Sequence, residues 1–182
     1  MSKAVLFFAD GTEECEALLV ADLLRRAKVD VIIASAMGRR ALVSSHGIHL
    51  NADALAEDVD YSDVDMVVLP GGIPGTPNLA ENKTVTDTCV SFAKAGKKVA
   101  AICAAPMVLG RRGLLAGREA VCYPGFEHEL TGAKLSDRRV VRDGRIITGV
   151  GMGAALEFGL ALVEIFCGKE TAERIGGSVL AK

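Results

Sequence analysis

Strands that alternate with helices along one chain predict an α/β fold: a largely parallel sheet with helices on both faces. Three observations carry that prediction. Short apolar runs recur at Lys3–Ala9, Val29–Ala36, Asp65–Leu69 and Lys97–Ile102, the pattern of strands buried on both sides. Stretches of helical periodicity lie between them. Tight corners close the runs, at Asp10-Gly11-Thr12, Pro70-Gly71-Gly72 and Cys103-Ala104-Ala105-Pro106.

Taken in order, Lys3–Ala9 is the first buried strand. A helix follows over Glu13–Ala27, with Cys15, Leu19, Leu23 and Ala27 on one stripe and Leu18, Val20 and Leu24 widening it. Glu13, Glu14 and Glu16 load its first turn with negative charge, which the helix dipole favours. Val29–Ala36 is the second strand. Ala41–Asp53 alternates weakly around Ser44-Ser45-His46-Gly47 and predicts a hairpin or edge ribbon. Asp65–Leu69 is the third strand, Gly75–Pro77 is expected as loop, and Val85–Ala95 is an amphipathic helix that Gly96 stops. The strand ending at Ile102 breaks at Cys103, and Pro106 opens a helix to about Arg112. Glu119–Cys122 is a short strand. Arg139–Thr148 is a hairpin turned at Asp143-Gly144. Ala154–Cys167 and Lys169–Leu180 are the last helices.

Composition bounds the function. The chain has 182 residues, enough for one full core, and reads as a single domain over 1–182. Twenty Gly against five Pro, with half the residues hydrophobic, point to tight corners rather than disorder. Net charge is −2 with both signs interspersed, which lacks the basic footprint of nucleic-acid or anionic-membrane binding. The five cysteines, at 15, 89, 103, 122 and 167, are odd in number and form no CxxC pair. They argue against disulfides and zinc and for a reducing compartment. The three histidines have no ligand spacing, so no metal is expected. Gly149-Val150-Gly151-Met152-Gly153-Ala154 has the letters of a dinucleotide fingerprint, but no strand follows to complete a βαβ unit. It reads as a close-packed turn, and no cofactor is expected. With no signal peptide or membrane span apparent, a cytoplasmic location is expected.

The chemistry centres on Cys103. A strand-to-helix corner lifts its thiol to the end of a sheet and aims backbone N–H groups and a positive helix end at it, as the nucleophile elbow does for serine. These features are expected to lower the thiol's pKa. Glu16, in the first turn of the first helix, lies at the same end of the sheet. If it touches Cys103, the two acids repel and one pKa rises; a protonated Glu16 donating to a thiolate is the expected state. The N–H groups of Gly71, Gly72 and Ala104 offer an oxyanion site. The bland alternatives are a buried structural cysteine, a helix-dipole glutamate and a plain tight turn.

The segments Gly11–Ala17, Val67–Gly72, Ala100–Pro106 and Leu156–Phe158, in that order, resemble the ThiJ/PfpI superfamily, in the branch of the parkinsonism-associated protein deglycase. The resemblance covers essentially the whole chain. It implies a flavodoxin-like three-layer sandwich and a homodimer. It implies that Cys103 is the reactive cysteine, Glu16 its partner carboxyl, and Gly71, Gly72 and Ala104 the oxyanion site. The implied activity is a cofactor-free glyoxalase or deglycase action on small aldehydes, with oxidative-stress sensing or chaperone-like holding as the alternative. Peptidase members carry His after the nucleophile; here Ala104 follows, which argues against that activity. The chain departs from the branch at Tyr123, at His46 and over Val150–Gly153, and Tyr123 and His46 are expected near the pocket. Lys28 stands where Gly often ends the first helix; in a left-handed conformation it costs about 1–2 kcal/mol.

Overall fold

The computed structural model describes residues 2–181. The chain runs β1 (Lys3–Phe8), α1 (Glu14–Arg26), β2 (Asp30–Ser35), β3 (Ala41–Val43), β4 (His49–Asn51), β5 (Ala54–Leu55), β6 (Met66–Leu69), α2 (Gly75–Glu81) and α3 (Lys83–Lys94). It continues β7 (Lys98–Ile102), α4 (Pro106–Arg111), β8 (Glu119–Ala120), β9 (Lys134–Leu135), β10 (Val140–Asp143), β11 (Ile146–Gly149), α5 (Ala155–Cys167) and α6 (Lys169–Ser178). The main sheet has seven strands in the order β10-β11-β7-β6-β1-β2-β5. All neighbours are parallel except the β10–β11 hairpin.

Alternation within the strands builds two cores. Ala4, Leu6 and Phe8 of β1 point to one face and pack with Leu23 and Leu24 of α1 and Phe158 and Leu162 of α5. Val5, Phe7 and Ala9 point to the other, toward Leu79, Val85, Phe92 and Leu109 of α2, α3 and α4. The strands carry apolar side chains on both faces because helices cover both. This is the expected three-layer α/β architecture.

Strand order positions the site. From β1 the chain moves outward to β2, then returns to the opposite side of β1 with β6. That reversal is the topological switch point, where the loops after adjacent strands diverge and leave a crevice. Because β7, β6 and β1 are neighbours, the corners at Cys103, at Pro70-Gly71-Gly72 and at Asp10–Glu16 meet at one edge.

Some expectations change. Gly75–Pro77, expected as loop, is the first turn of α2; Pro77 fits there because a first-turn N–H has no intrahelical partner. The Glu119–Cys122 strand shortens to β8, which pairs in parallel with β9 outside the main sheet. The two-residue β5 is too short for any periodicity to reveal. Lys28 is left-handed, with φ 64°. It closes α1 in a Schellman motif: its N–H bonds Arg25 C=O at 3.0 Å and that of Val29 bonds Leu24 C=O at 3.0 Å.

Candidate active site

At the end of β7 the chain turns through Cys103, which has φ 65°, a left-handed conformation costly for any residue but glycine. Both its backbone groups are tied down. Its N–H donates to Gly149 C=O at the end of β11 (2.9 Å), and its C=O accepts from the Tyr123 N–H (2.8 Å). These bonds hold the strained corner and leave the thiol half-buried.

Glu16 is fully buried. The side chain of Glu13 caps α1 by accepting from the Glu16 N–H at 2.7 Å, so the first turn is fixed before the Glu16 side chain is placed. Glu16 Oε2 accepts from the Gly71 N–H at 2.8 Å. Oε1 has no hydrogen-bond partner, and the carboxyl stands beside the Cys103 thiol: Oε2 and Sγ both lie within 3.0 Å of the point a Gly71 side chain would occupy. Gly71 is where backbone must approach closely. A side chain there would stand 2.5 Å from Cys103 Cβ, 2.8 Å from Glu16 Oε2 and 3.0 Å from Cys103 Sγ.

Burial pushes the Glu16 carboxyl up from its ordinary 4.5 to about 7, against the opposing pull of the neighbouring Cys103 thiol and the Gly71 N–H. Burial, then the charge of Glu16, pushes the Cys103 thiol up to about 12, while the N–H groups of Ala104 and Gly72 pull it down. This corrects the expectation of a thiol lowered by the helix end. The helix behind it, α4, has only six residues, and desolvation beside an acid outweighs it. The pair therefore loses its first proton near neutrality, and thiol and carboxyl compete for the one that remains. The arrangement suits proton exchange between a nucleophile and an adjacent base.

The structure brings together Cys103, Glu16, Gly71, Gly72 and Ala104. The Gly71 N–H is spent on Glu16, so of the three expected oxyanion donors only Gly72 and Ala104 face the sulfur. Tyr123 lies at the site, half-exposed, its N–H on Cys103 C=O. His46 bonds elsewhere: its Nδ1 lies 2.9 Å from Glu14 Oε1 and 3.0 Å from Ser45 Oγ, in the turn between β3 and β4. Ligand atoms of Glu13, Glu14 and His46 lie within 4.8 Å of one another, a grouping invisible in sequence because His46 arrives from a distant turn. Glu13 and Glu14 already accept protein hydrogen bonds, and they flank the positive end of α1, which disfavours a cation. Sequence reasoning read Gly149 only as part of a close-packed turn, whereas its C=O holds the Cys103 N–H; it missed Arg139, whose surface contacts carry no motif. No helix among the described residues is long and apolar enough to cross a membrane.

A strained cysteine at a strand-to-helix corner beside a buried carboxyl places the chain in the class of α/β proteins whose corner has the geometry of the nucleophile elbow. Residues 2–165 match the DJ-1/PfpI family, and the chain belongs to it. It is 38% identical over 182 residues to Protein DJ-1 homolog B of Arabidopsis thaliana, covering 99% of this chain but 42% of that protein. It is 32% identical over 171 residues to the glutathione-independent glyoxalase DJR-1.2 of Caenorhabditis elegans, covering 93% of this chain and 90% of that one. The structure of oxidized Toxoplasma gondii DJ-1 superposes with a TM-score of 0.95 at 35% identity, covering 99% and 98% of the two chains.

Proposed function

We propose that this protein is a cysteine-dependent, cofactor-free glyoxalase or deglycase acting on small 2-oxoaldehydes, such as methylglyoxal and glyoxal, or their early protein adducts. The observation that carries the reading is the juxtaposition, across Gly71, of the Cys103 thiol and a buried Glu16 carboxyl that titrates near 7. The C. elegans relative is named a glyoxalase.

In this reading Cys103 sulfur attacks the aldehyde carbon while its proton passes through Glu16 to the aldehyde oxygen, giving a hemithioacetal. Glu16, ionised again, moves the proton of that carbon to the neighbouring carbonyl carbon through an enediol. The N–H groups of Gly72 and Ala104 hold the developing oxyanion. The resulting thioester is hydrolysed to a 2-hydroxy acid, lactate from methylglyoxal, and the thiol returns. The sequence is redox-neutral overall and calls for no electron carrier. The test is methylglyoxal consumption by the purified protein and by its Cys103→Ser variant.

A second reading, an oxidative-stress sensor or chaperone-like protein, is favoured by the same donors. Glu16, Gly72 and Ala104 would hydrogen-bond a Cys103 sulfinate. Mild peroxide is then expected to add about 32 Da, two oxygens, at Cys103 alone. Mass spectrometry that finds oxidation spread over Cys15, Cys89, Cys122 and Cys167 sinks this reading. Cys89 and Cys122 are buried, which keeps peroxide from both, whereas the Cys103 thiol is only half-buried.

We also propose a homodimer in a cytoplasmic setting. The five cysteines are free. Leu18 of α1, Ile48 and Met152 are exposed apolar side chains of the kind an interface covers. Sedimentation is expected at twice the chain mass, and a monomer at micromolar concentration contradicts the proposal.

A further inference from the structure

The glycine-rich turn at 149–154 binds no nucleotide in the reading above, yet it forms a wall of the thiol site. A methyl group on Gly151 would lie 3.2 Å from Cδ2 of the Tyr123 ring and 3.9 Å from Cys103 Sγ. The backbone at Gly151 thus limits the space beside the sulfur. With Gly at 149, 151 and 153, this stretch has little stiffness of its own.

One residue holds both its ends. The Arg139 carbonyl accepts from the Val150 N–H at 2.9 Å. The Arg139 guanidinium donates through Nη2 to the Gly153 carbonyl and, at 3.1 Å, through Nε to Glu157 Oε2 on α5. Between these anchors the Ala154 N–H closes a turn on Gly151 C=O at 2.8 Å. Arg139 and Glu157 are both more than half exposed, so as an ion pair they add little stability. What Arg139 supplies is a fixed position for a segment that would otherwise wander.

We propose that Arg139 is a positioning residue for the thiol site: by holding Val150 and Gly153 at once, it fixes the distance between the Gly151 wall and the Cys103 sulfur and so sets the size of carbonyl substituent the site admits. The inference rests on the reading of Cys103 as nucleophile.

Arg139→Met keeps the stem and the backbone bond and removes both side-chain bonds; Arg139→Lys keeps one donor for Gly153. Turnover of methylglyoxal and of a branched alkylglyoxal is measured, together with Cys103 alkylation by iodoacetamide and by the bulkier N-phenylmaleimide. For Arg139→Met, KM for methylglyoxal is expected to rise roughly tenfold with kcat within about twofold, since the acid–base pair is untouched. The preference between the two aldehydes shifts by about fivefold, and Arg139→Lys moves it back toward the parent value. A fall in Tm with both the preference and KM unchanged overturns the proposal. The alkylation arm reads the wall without turnover. If the parent protein consumes no 2-oxoaldehyde, the glyoxalase reading fails alone. A bulky-to-small alkylation ratio altered about fivefold in Arg139→Met then still supports the positioning role, and an unaltered ratio overturns it.

Discussion

Cys103→Ser is expected to lower methylglyoxal consumption by at least about 10³-fold while leaving the fold intact, since loss of a nucleophile removes the covalent route altogether. Serine fills nearly the same space and keeps the N–H to Gly149 and the C=O to Tyr123 that hold the corner. What changes is the acid. Glu16, titrating near 7, is matched to a thiol that neighbouring N–H groups assist, and poorly matched to an alcohol. No histidine side chain hydrogen-bonds residue 103 among the described residues, so a serine there has no alternative base. Equal consumption by the two proteins would remove Cys103 from the reaction and leave the proposed function without a nucleophile. Iodoacetamide separates this from a passive binding module, in which Cys103 stays unalkylated at neutral pH.

Much of this was legible beforehand because it depends on local pattern. Double-sided apolar runs mark β1, β2, β6 and β7 whatever surrounds them, and Asp143-Gly144 turns the β10–β11 hairpin by its own conformational preference. Cys103 and Glu16 were legible as candidates because each sits one corner beyond a buried strand. Their contact was not, since it follows from β1, β6 and β7 being neighbours, a fact of topology. The proton balance of the pair was read with the wrong sign for the thiol. Sequence shows the helix start behind Cys103 but not the desolvation that Glu16 and Cys103 impose on each other. Gly71 was assigned to an oxyanion and is occupied by Glu16, because one N–H cannot serve both. His46 is expected near the pocket from family position alone, and the fold brings its ring onto the Glu14 carboxylate in the first turn of α1.

Glu16→Gln is expected to separate stability from activity. The amide keeps an acceptor for the Gly71 N–H and a donor for the sulfur, but it neither titrates nor carries protons between carbons. The expected loss in kcat is about 10²–10⁴-fold, the usual worth of a positioned acid–base group. Stability moves the other way with pH. The folded carboxyl titrates near 7 and the unfolded one near 4.5, so its favourable contribution is complete below 4.5 and is lost as pH rises to about 7. Over that window the unfolded chain releases a proton that the buried group retains, at a cost of roughly 3 kcal/mol by pH 8. The glutamine variant carries no such penalty. Its Tm is expected to exceed that of the parent at pH 8 and to converge with it near pH 4.5, while the parent's own Tm falls across the same interval. Thermal unfolding of both proteins between about pH 4.5 and pH 8 checks this. Parallel curves would show a carboxyl already solvated in the fold, one that could not share a proton with the thiol. A stabler but inactive variant would show instead that the fold tolerates a buried acid at a loss of stability because the chemistry at Cys103 requires it.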